Sequence, residues 1–430
     1  MKNLFISLVL AHVAAFAVSL RSKILLISFD GFRWDYLDRV ETPNFDKFVN
    51  EGVQAKHLNP TFITKTFPAH YTLVTGLYQE SHGIVGNRMY DPVLNATFAM
   101  SNKDPIWWDN GGEPVWVTVS KQGGRSASYF WIGGETATNG GYDPDIWLKY
   151  NESHPYRARV DTVVRWFTEE NIDFIALYFD EPDGYGHEQG YDSPETTEEI
   201  RKLDELLGYL AERFTEAGIY DSVNIIITAD HGMAETPTSN NLDLYDYVDP
   251  GDVKLVTEFG PVMNILPVEN KIMDVYNSLN GKHPNLTVYL KEDIPEHWHY
   301  RNNRRIQPIL IVCDEGWEIF ANLSSMSEFR LNLPGNHGYD NRLMSMKAIF
   351  VARGPGFKKN YKGDAIDGVD VYPLMCQLMG LQPAPNNGSL SNVLGMLLDS
   401  ASSASLIRIR FDIVNLFVAA FAFVFMIALN

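Results

Sequence analysis

Five short apolar runs recur along the chain, and they constrain its fold more than any other feature. Each has the length of a β-strand and is apolar on both faces, which is typical of strands in a parallel sheet covered by helices on both sides. The runs are KILLISFD (23–30), SASYFW (126–131), DFIALYFD (173–180), VNIIITAD (223–230) and MKAIFVA (346–352).

Amphipathic segments lie between these runs. Those at 42–52 and 193–218 both end in glycine, and the first carries Thr-Pro at its start, as helices often do. Strands that alternate with helices predict an α/β fold with a mostly parallel central sheet flanked by helices on both faces. No internal repeat or low-complexity linker interrupts 22–395, so we predict one continuous domain over that range.

Residues 235–335 fit this alternation poorly. They contain three shorter apolar segments, VMNILP (262–267), LTVYL (286–290) and QPILIVC (307–313). We predict a small subdomain insertion with short antiparallel strands there.

Both ends of the chain carry apolar segments. Residues 1–19 have a lysine, an apolar stretch and small residues at the end, which predicts a cleaved signal peptide. Residues 396–410 resemble a juxtamembrane linker, and 411–430 are apolar to the last residue. A single transmembrane helix and a glycolipid-anchor signal both fit 411–430. Either predicts a membrane-anchored protein at the cell surface with its globular part outside.

Glycosylation sequons agree with that location, and they occur at Asn95, Asn151, Asn285, Asn322 and Asn387. Cys313 and Cys376 are the only cysteines; one disulfide or two buried free thiols fit equally well. The net charge of −19 argues against a nucleic-acid polymer as partner, because phosphate backbones attract basic surfaces. A small anionic substrate still fits if metal ions supply positive charge.

Three of the predicted strands end in aspartate. In open α/β sheets ligands bind at the carboxyl ends of the strands, so these carboxylates should meet at one rim. A lone aspartate after a strand is more often a turn or cap residue, but here three histidines accompany the carboxylates. Mixed aspartate and histidine ligands suit zinc, and the set is large enough for two ions. The candidate ligands are Asp30, Asp183, His187, Asp230, His231 and His337.

Thr66 lies in TFITKTFPAHYTLVTG (61–76), just ahead of a helix predicted to begin at Pro68 and to end at Gly76. A threonine hydroxyl there can be an ordinary N-cap. It can also be a nucleophile, because the helix N-terminus favours an anion and a neighbouring metal can remove the hydroxyl proton.

Several motifs resemble, in order, those of the ectonucleotide pyrophosphatase/phosphodiesterases of the alkaline-phosphatase superfamily. The resemblance covers 22–395 and includes every candidate metal ligand. Its motifs are SFDGFRWDYL, TKTFPAHYTLVTGLYQESHGIVGNRMYDP, GEPVWV, DEPDGYGHEQG, TADHGM and PGNHGYDN.

The resemblance implies an alkaline-phosphatase-like fold and two zinc ions. One ion is assigned to Asp183, His187 and His337, and the other to Asp30, Asp230, His231 and the hydroxyl of Thr66. Thr66 becomes the nucleophile that forms a threonyl-nucleotide intermediate, and Asn87 donates to a phosphate oxygen. The implied substrate is a small nucleotide that is cut to a nucleoside monophosphate, and its base is held by Phe67, Tyr150 and Trp131.

The chain departs from the common pattern at Ala69, Ile132 and Gly190-Tyr191, and none of these removes a ligand. Positions 69 and 132 are expected to border the pocket, so the departures bear on substrate preference. Two alternatives stay open: a phospholipase C-like choline-phosphate phosphodiesterase, and an inactive cell-surface binding protein on the same scaffold.

Overall fold

The structure is a computed structural model that describes residues 22–109, 111–136, 138 and 140–399. Its strands are β1 (Lys23–Phe29), β2 (Val53–Ala55), β3 (Leu58–Asn59), β4 (Met89–Asp91), β5 (Ala96–Phe98), β6 (Ser126–Tyr129), β7 (Ile146–Leu148), β8 (Phe174–Phe179), β9 (Val223–Thr228), β10 (Ala234–Glu235), β11 (Asn241–Asp243), β12 (Val253–Thr257), β13 (Val262–Pro267), β14 (Leu286–Leu290), β15 (Ile309–Cys313), β16 (Glu318–Phe320), β17 (Gly335–Asn336), β18 (Phe350–Arg353), β19 (Tyr361–Gly363) and β20 (Ile366–Asp367).

The α-helices of the described residues are α1 (Tyr36–Arg39), α2 (Pro43–Asn50), α3 (Thr66–Thr75), α4 (Gln79–His82), α5 (Val115–Lys121), α6 (Tyr156–Thr168), α7 (Asp183–Gln189), α8 (Pro194–Glu216), α9 (Ile272–Leu279), α10 (Glu328–Leu331) and α11 (Val371–Met379). The two amphipathic segments predicted as helices are α2 and α8. Helix α8 begins at the predicted boundary, where the Ser193 hydroxyl accepts from the Thr196 N–H and Pro194 occupies the first turn.

The central sheet confirms the predicted α/β fold. Its eight strands lie in the order β19-β2-β18-β9-β1-β8-β6-β7. Strands β9, β1, β8, β6 and β7 are parallel to one another. Strand β18, predicted from 346–352, is the exception because it runs antiparallel to both β9 and β2. The sheet is therefore mostly parallel, with one antiparallel strand near one edge.

The central strands are buried along their length. Every residue of β8 and β9 is buried, which explains their continuous apolar sequences. Ile27 of β1 lies between Leu177 of β8 and Ile227 of β9, so the three strands share one register. Their carboxyl ends consequently reach the same rim of the sheet.

The insertion predicted at 235–335 contains a separate antiparallel sheet in the order β12-β13-β15-β14. Each of the three apolar segments predicted there supplies one of these strands. A second buried apolar cluster packs around them, with Met263, Ile265 and Ile311 at its centre. This part of the prediction is confirmed.

The predicted localisation needs correction. We expected a C-terminal single-pass helix or glycolipid anchor at 411–430 to hold the protein at the cell surface. Within the described part of the chain, no helix combines the length and apolarity required to cross a bilayer. The predicted anchor at 411–430 lies outside the described residues. So do the predicted signal peptide at 1–19 and most of the linker at 396–410. The anchored cell-surface localisation is therefore withdrawn.

The cysteines and sequons take definite positions. Cys313 and Cys376 are both buried and both free, so the disulfide alternative is wrong and the thiol alternative holds. Four of the five sequon asparagines are exposed, and the fifth, Asn285, is half-buried. Their glycosylation stays a prediction.

Candidate active site

The carboxyl ends of β8, β1 and β9 bring the predicted aspartates together. Phe29 pairs with Phe179 and Ser28 with Thr228, so the residues that follow these strands are neighbours. Asp30 follows β1, and Asp230 follows β9 after one intervening alanine. The Asp183 N–H donates to the Asp30 carbonyl (N···O 3.0 Å) and ties the loop after β8 to the same rim.

The outer cluster consists of Asp183, His187 and His337. Asp183 and His187 lie one turn apart on α7, with Oδ2 and Nε2 3.5 Å apart. His337 follows β17, and its Nε2 is 3.7 Å from Asp183 Oδ1. One ligand atom from each of the three residues lies within 4.8 Å of the others, so the cluster can hold a metal ion.

The inner cluster consists of Asp30, Asp230 and His231. His231 Nε2 lies 2.9 Å from Asp230 Oδ2 and 3.5 Å from Asp30 Oδ1. The two clusters are contiguous, because atoms of Asp30, Asp183 and His231 also lie within 4.8 Å of one another. The six residues predicted as ligands therefore form one continuous constellation.

The constellation contains unpaired carboxylate oxygens and is therefore suited to binding cations. Asp30 Oδ1, Asp183 Oδ1 and Asp230 Oδ2 are buried without a hydrogen-bond partner. Burial first, and then the charges of Asp230 and Asp183, raise the pKa of Asp30 well above its ordinary value. Buried carboxylates that repel one another need a compensating positive charge, and a divalent cation supplies it.

The imidazoles of both clusters are oriented for metal binding. Nδ1 of His187 lies 2.8 Å from the Gly335 carbonyl, and Nδ1 of His231 lies 2.9 Å from the Gly232 carbonyl. Nδ1 of His337 lies 2.8 Å from the Thr64 carbonyl. A carbonyl only accepts, so each Nδ1 carries the proton and each Nε2 lone pair faces the site. Burial lowers the pKa of His187 and of His337, which favours the neutral, ligating form.

Thr66 occupies the first turn of α3, beside the inner cluster. The helix begins at Thr66 itself, two residues before the predicted start at Pro68, and Gly76 ends it in the left-handed conformation (φ 65°) that glycine tolerates. Thr66 Oγ1 lies 3.5 Å from His231 Nε2. The hydroxyl is thus placed at a helix N-terminus and next to the imidazole of a candidate metal ligand.

Asn87 is held beside Thr66 by the backbone. Its Oδ1 accepts the Phe67 N–H at 2.9 Å, so the amide oxygen faces the protein and the amide nitrogen is left for another acceptor. Asn87 also lines the cavity into which Thr66 opens. This arrangement leaves the amide free for the donor role that the resemblance implies, which stays a prediction.

A cavity of about 810 Å³ opens over the outer cluster and reaches Asp30 and Thr66. Phe67, Trp131 and Tyr150 all line it, as predicted for the substrate wall. Tyr150 is 42% exposed and packs near Phe130 (centroids 5.4 Å), whereas Trp131 is only 1% exposed. Phe67 and Tyr150 can therefore offer ring faces to a ligand, whereas Trp131 has little exposed surface to offer.

Two positions that depart from the family pattern, 69 and 132, lie in different surroundings. Ile132 lines the cavity, but Ala69 is buried within α3 and lies outside the cavity wall. Only position 132 therefore meets the expectation that both border the pocket. Lys103 lines the cavity too, with its ammonium 2.6 Å from Glu135 and 5.6 Å from the centre of the Phe67 ring.

Sequence reasoning missed two buried residues that touch the site. The Tyr178 hydroxyl donates to Asp30 Oδ2 at 2.6 Å. His70 Nδ1 lies 3.3 Å from Asp230 Oδ2 and 2.9 Å from the Thr66 carbonyl. Tyr178 is embedded in an apolar strand, and His70 is one of eleven histidines, so neither had a local signal. The spacing of His70 one helical turn after Thr66 was the only available indication.

Comparison with known proteins agrees with this geometry. The sequence profile described as "Type I phosphodiesterase / nucleotide pyrophosphatase" matches residues 24–340. The human ectonucleotide pyrophosphatase/phosphodiesterase family member 5 is 44% identical over 381 residues, covering 88% of this chain and 78% of that protein. A Xenopus laevis bis(5'-adenosyl)-triphosphatase is 44% identical over 373 residues, covering 86% of this chain and 80% of that protein.

A solved structure shows the same fold. An inactive variant of murine ectonucleotide pyrophosphatase/phosphodiesterase 5, in complex with AMP, superposes with a TM-score of 0.84 at 43% identity. It covers 88% of this chain and 100% of the other. Fold, profile and relatives agree, and the chain belongs to the type I phosphodiesterase/nucleotide pyrophosphatase family.

Proposed function

We propose that this protein is a two-zinc nucleotide pyrophosphatase/phosphodiesterase that uses Thr66 as its nucleophile. The outer cluster would hold one ion, and the inner cluster with the Thr66 hydroxyl would hold the other. The observation that carries this proposal is the set of buried, unpaired carboxylate oxygens that face imidazole Nε2 atoms beside Thr66. Aspartate and histidine together are a donor set that zinc accepts.

The chain's own residues account for a two-step reaction. Bound zinc supplies positive charge that favours loss of the hydroxyl proton and offsets charge on the phosphoryl oxygens. Thr66 Oγ1 releases its proton to solvent and attacks phosphorus, the P–O bond to the leaving group breaks, and the leaving oxygen departs as an anion or takes a proton from solvent. The nucleoside monophosphoryl group is left on Thr66. The Asn87 amide donates to a phosphoryl oxygen during this step. Water then cleaves the threonyl ester, which releases nucleoside monophosphate and restores the hydroxyl.

A nucleotide suits the cavity because aromatic rings line it next to the clusters. The base would stack on Phe67 and Tyr150, with the largely buried Trp131 also lining the cavity. Base–aromatic stacking contributes about 1–3 kcal/mol for each base. The relatives support this substrate class, since one is named a bis(5'-adenosyl)-triphosphatase and another was solved with AMP.

A phosphocholine ester is the second candidate substrate. Glu152 and Asp180 line the same cavity as the rings of Phe130 and Tyr150. Aromatic faces with nearby carboxylates attract a quaternary ammonium group. The two candidates share the metal centre and differ only in what the cavity wall accepts.

Steady-state kinetics on the purified protein decide between them. We expect hydrolysis of the p-nitrophenyl ester of thymidine monophosphate to exceed that of p-nitrophenylphosphocholine by at least about 100-fold, a difference of about 2.7 kcal/mol in transition-state binding. Thr66→Ala should abolish both activities, and Thr75→Ala on the same helix is the matched control.

Other outcomes are equally informative. A preference for the choline ester would select the second candidate. Activity that survives Thr66→Ala would remove Thr66 from its role. A zinc-loaded wild-type protein that hydrolyses neither ester would favour a binding protein on a hydrolase scaffold.

A further inference from the structure

His70 lies wholly inside the protein, next to Thr66 and to Asp30 and Asp230 of the inner cluster. It is 0% exposed, and it sits one helical turn after Thr66 on α3. Its Nδ1 is 2.9 Å from the Thr66 carbonyl oxygen and 3.3 Å from Asp230 Oδ2, and its Nε2 is 2.8 Å from Ser28 Oγ. The ring therefore joins the first turn of α3 to β1, the strand that delivers Asp30.

These contacts determine which nitrogen of the neutral ring carries the proton. A carbonyl oxygen only accepts, so the hydrogen bond to Thr66 requires a proton on Nδ1. Nε2 then has a lone pair, and the Ser28 hydroxyl donates to it. Trp131 and Tyr178 pack edge-on against the ring, each with centroids 5.3 Å away, and fix its plane.

We propose that His70 is a positioning residue for Thr66: Ser28 fixes its Nδ1–H tautomer, and that N–H holds the Thr66 carbonyl. The Thr66 hydroxyl is thereby kept 3.5 Å from His231 Nε2, against the inner cluster. This inference rests on the proposed role of Thr66 as nucleophile. A displacement of about 1 Å at a reacting group can lower a rate about 100-fold, so a buried hydrogen bond at this carbonyl affects catalysis without touching substrate.

His82 provides a matched control in the same protein. It is also 0% exposed and contacts α3, with Nε2 3.1 Å from Thr72 Oγ1. Its Nδ1 accepts the Ile84 N–H at 3.1 Å, so its neutral ring carries the proton on Nε2, the opposite tautomer. His82 thus buries an imidazole against the same helix without touching the Thr66 carbonyl.

Kinetics of four variants test the proposal. His70→Leu removes the donor, and we expect kcat to fall about 100-fold with KM changed less than about threefold. His70→Asn keeps an N–H near the Nδ1 position, and we expect it to recover at least about tenfold of that loss. Ser28→Ala should lower kcat about tenfold, whereas Ser126→Ala, a buried serine whose hydroxyl has no partner, should leave it unchanged.

The control variant and a spectroscopic measurement complete the test. His82→Asn should lower the melting temperature without lowering kcat by more than about twofold. In the zinc-loaded wild type, ¹⁵N chemical shifts of labelled histidine should show the proton of His70 on Nδ1 and that of His82 on Nε2.

Two results would overturn the inference. One is an equal loss of kcat in His70→Leu, His70→Asn and His82→Asn, which would mean that packing alone matters. The other is a His70 proton on Nε2, which would overturn the inference even if the wild type proves inactive. An inactive wild type with the Nδ1 proton in place would instead remove the proposed function and leave the His70 geometry intact.

Discussion

The inner and outer clusters occupy one rim of one sheet, yet they differ in burial and in charge. The inner cluster has two carboxylates and one imidazole, and Asp30, Asp230 and His231 are 2%, 1% and 0% exposed. The outer cluster has one carboxylate and two imidazoles, and the side chains of Asp183 and His187 are 18% and 19% exposed.

This difference predicts a division of labour between the two ions that we propose. Charge interactions are stronger in the inner cluster, because it is shielded from water and carries one more carboxylate. An ion there should bind more tightly and exchange more slowly, and it lies beside the Thr66 hydroxyl that it would activate. The outer cluster opens to the cavity, so its ion is better placed to meet substrate and more easily lost.

Chelation gives the largest expected effect and tests the comparison directly. Complete removal of metal should lower kcat by at least about 1000-fold, because several kcal/mol of transition-state charge stabilisation disappear. Partial chelation should remove one equivalent of zinc much faster than the second. Zinc should restore activity, with magnesium as the control ion. Simultaneous loss of both equivalents would contradict the division between the clusters.

Single-ligand variants should separate the clusters. Asp230→Asn should lower kcat about 1000-fold and leave one zinc per chain, because the inner ion loses a charged ligand. His187→Asn should also leave one zinc but lower kcat less, by about 100-fold, because the Thr66 site stays intact. Zinc content by mass spectrometry and kcat under saturating substrate measure both effects. Equal kcat values for the two variants would show that the clusters act as one unit.

Removal of a buried carboxylate should stabilise the metal-free protein. Asp30→Asn relieves repulsion among buried like charges, and we expect roughly 2 kcal/mol of added stability without metal. The more exposed Asp183→Asn should gain less. Denaturant unfolding with and without zinc measures the free energy of unfolding of each protein. With zinc present, the order of stability should reverse, with the wild type most stable and Asp30→Asn least stable. A metal-free Asp30→Asn that is less stable than metal-free wild type would show that repulsion at the inner cluster is small.

Tyr178→Phe should have the smallest effect. It removes the 2.6 Å hydrogen bond to Asp30 Oδ2 and keeps the ring. Loss of such a bond to a metal ligand typically weakens metal binding about tenfold. Competition with a fluorescent chelator should therefore show weaker binding at the tighter site only. Tyr129→Phe, a buried tyrosine on β6, is the control, and a change at the weaker site would be inconsistent with this account.

The sequence predicted the features that have local signals. The strand ends at Asp30, Asp180 and Asp230, with Asp183 just beyond the second, were visible because polarity interrupts an apolar run at a fixed place. The carboxyl-end rule for α/β sheets then brought them together. The resemblance to a known family placed Thr66 and Asn87, and the structure puts both beside the clusters.

The missed features depend on contacts between distant parts of the chain. His70 acquires its place from Ser28, 42 residues away, and Tyr178 from Asp30, 148 residues away. The antiparallel direction of β18 depends on the path of the preceding loops, which the apolar pattern of 346–352 does not encode. Trp131 was predicted at the substrate wall, but only the structure shows that it is almost fully buried there, against His70.

Anomalous diffraction at the zinc edge, from crystals of the zinc-loaded protein, tests the central claim most directly. The account predicts two peaks in each chain, one surrounded by Asp183, His187 and His337, and the other by Asp30, Asp230, His231 and the hydroxyl of Thr66. A single peak, or a second peak away from Thr66, would contradict it.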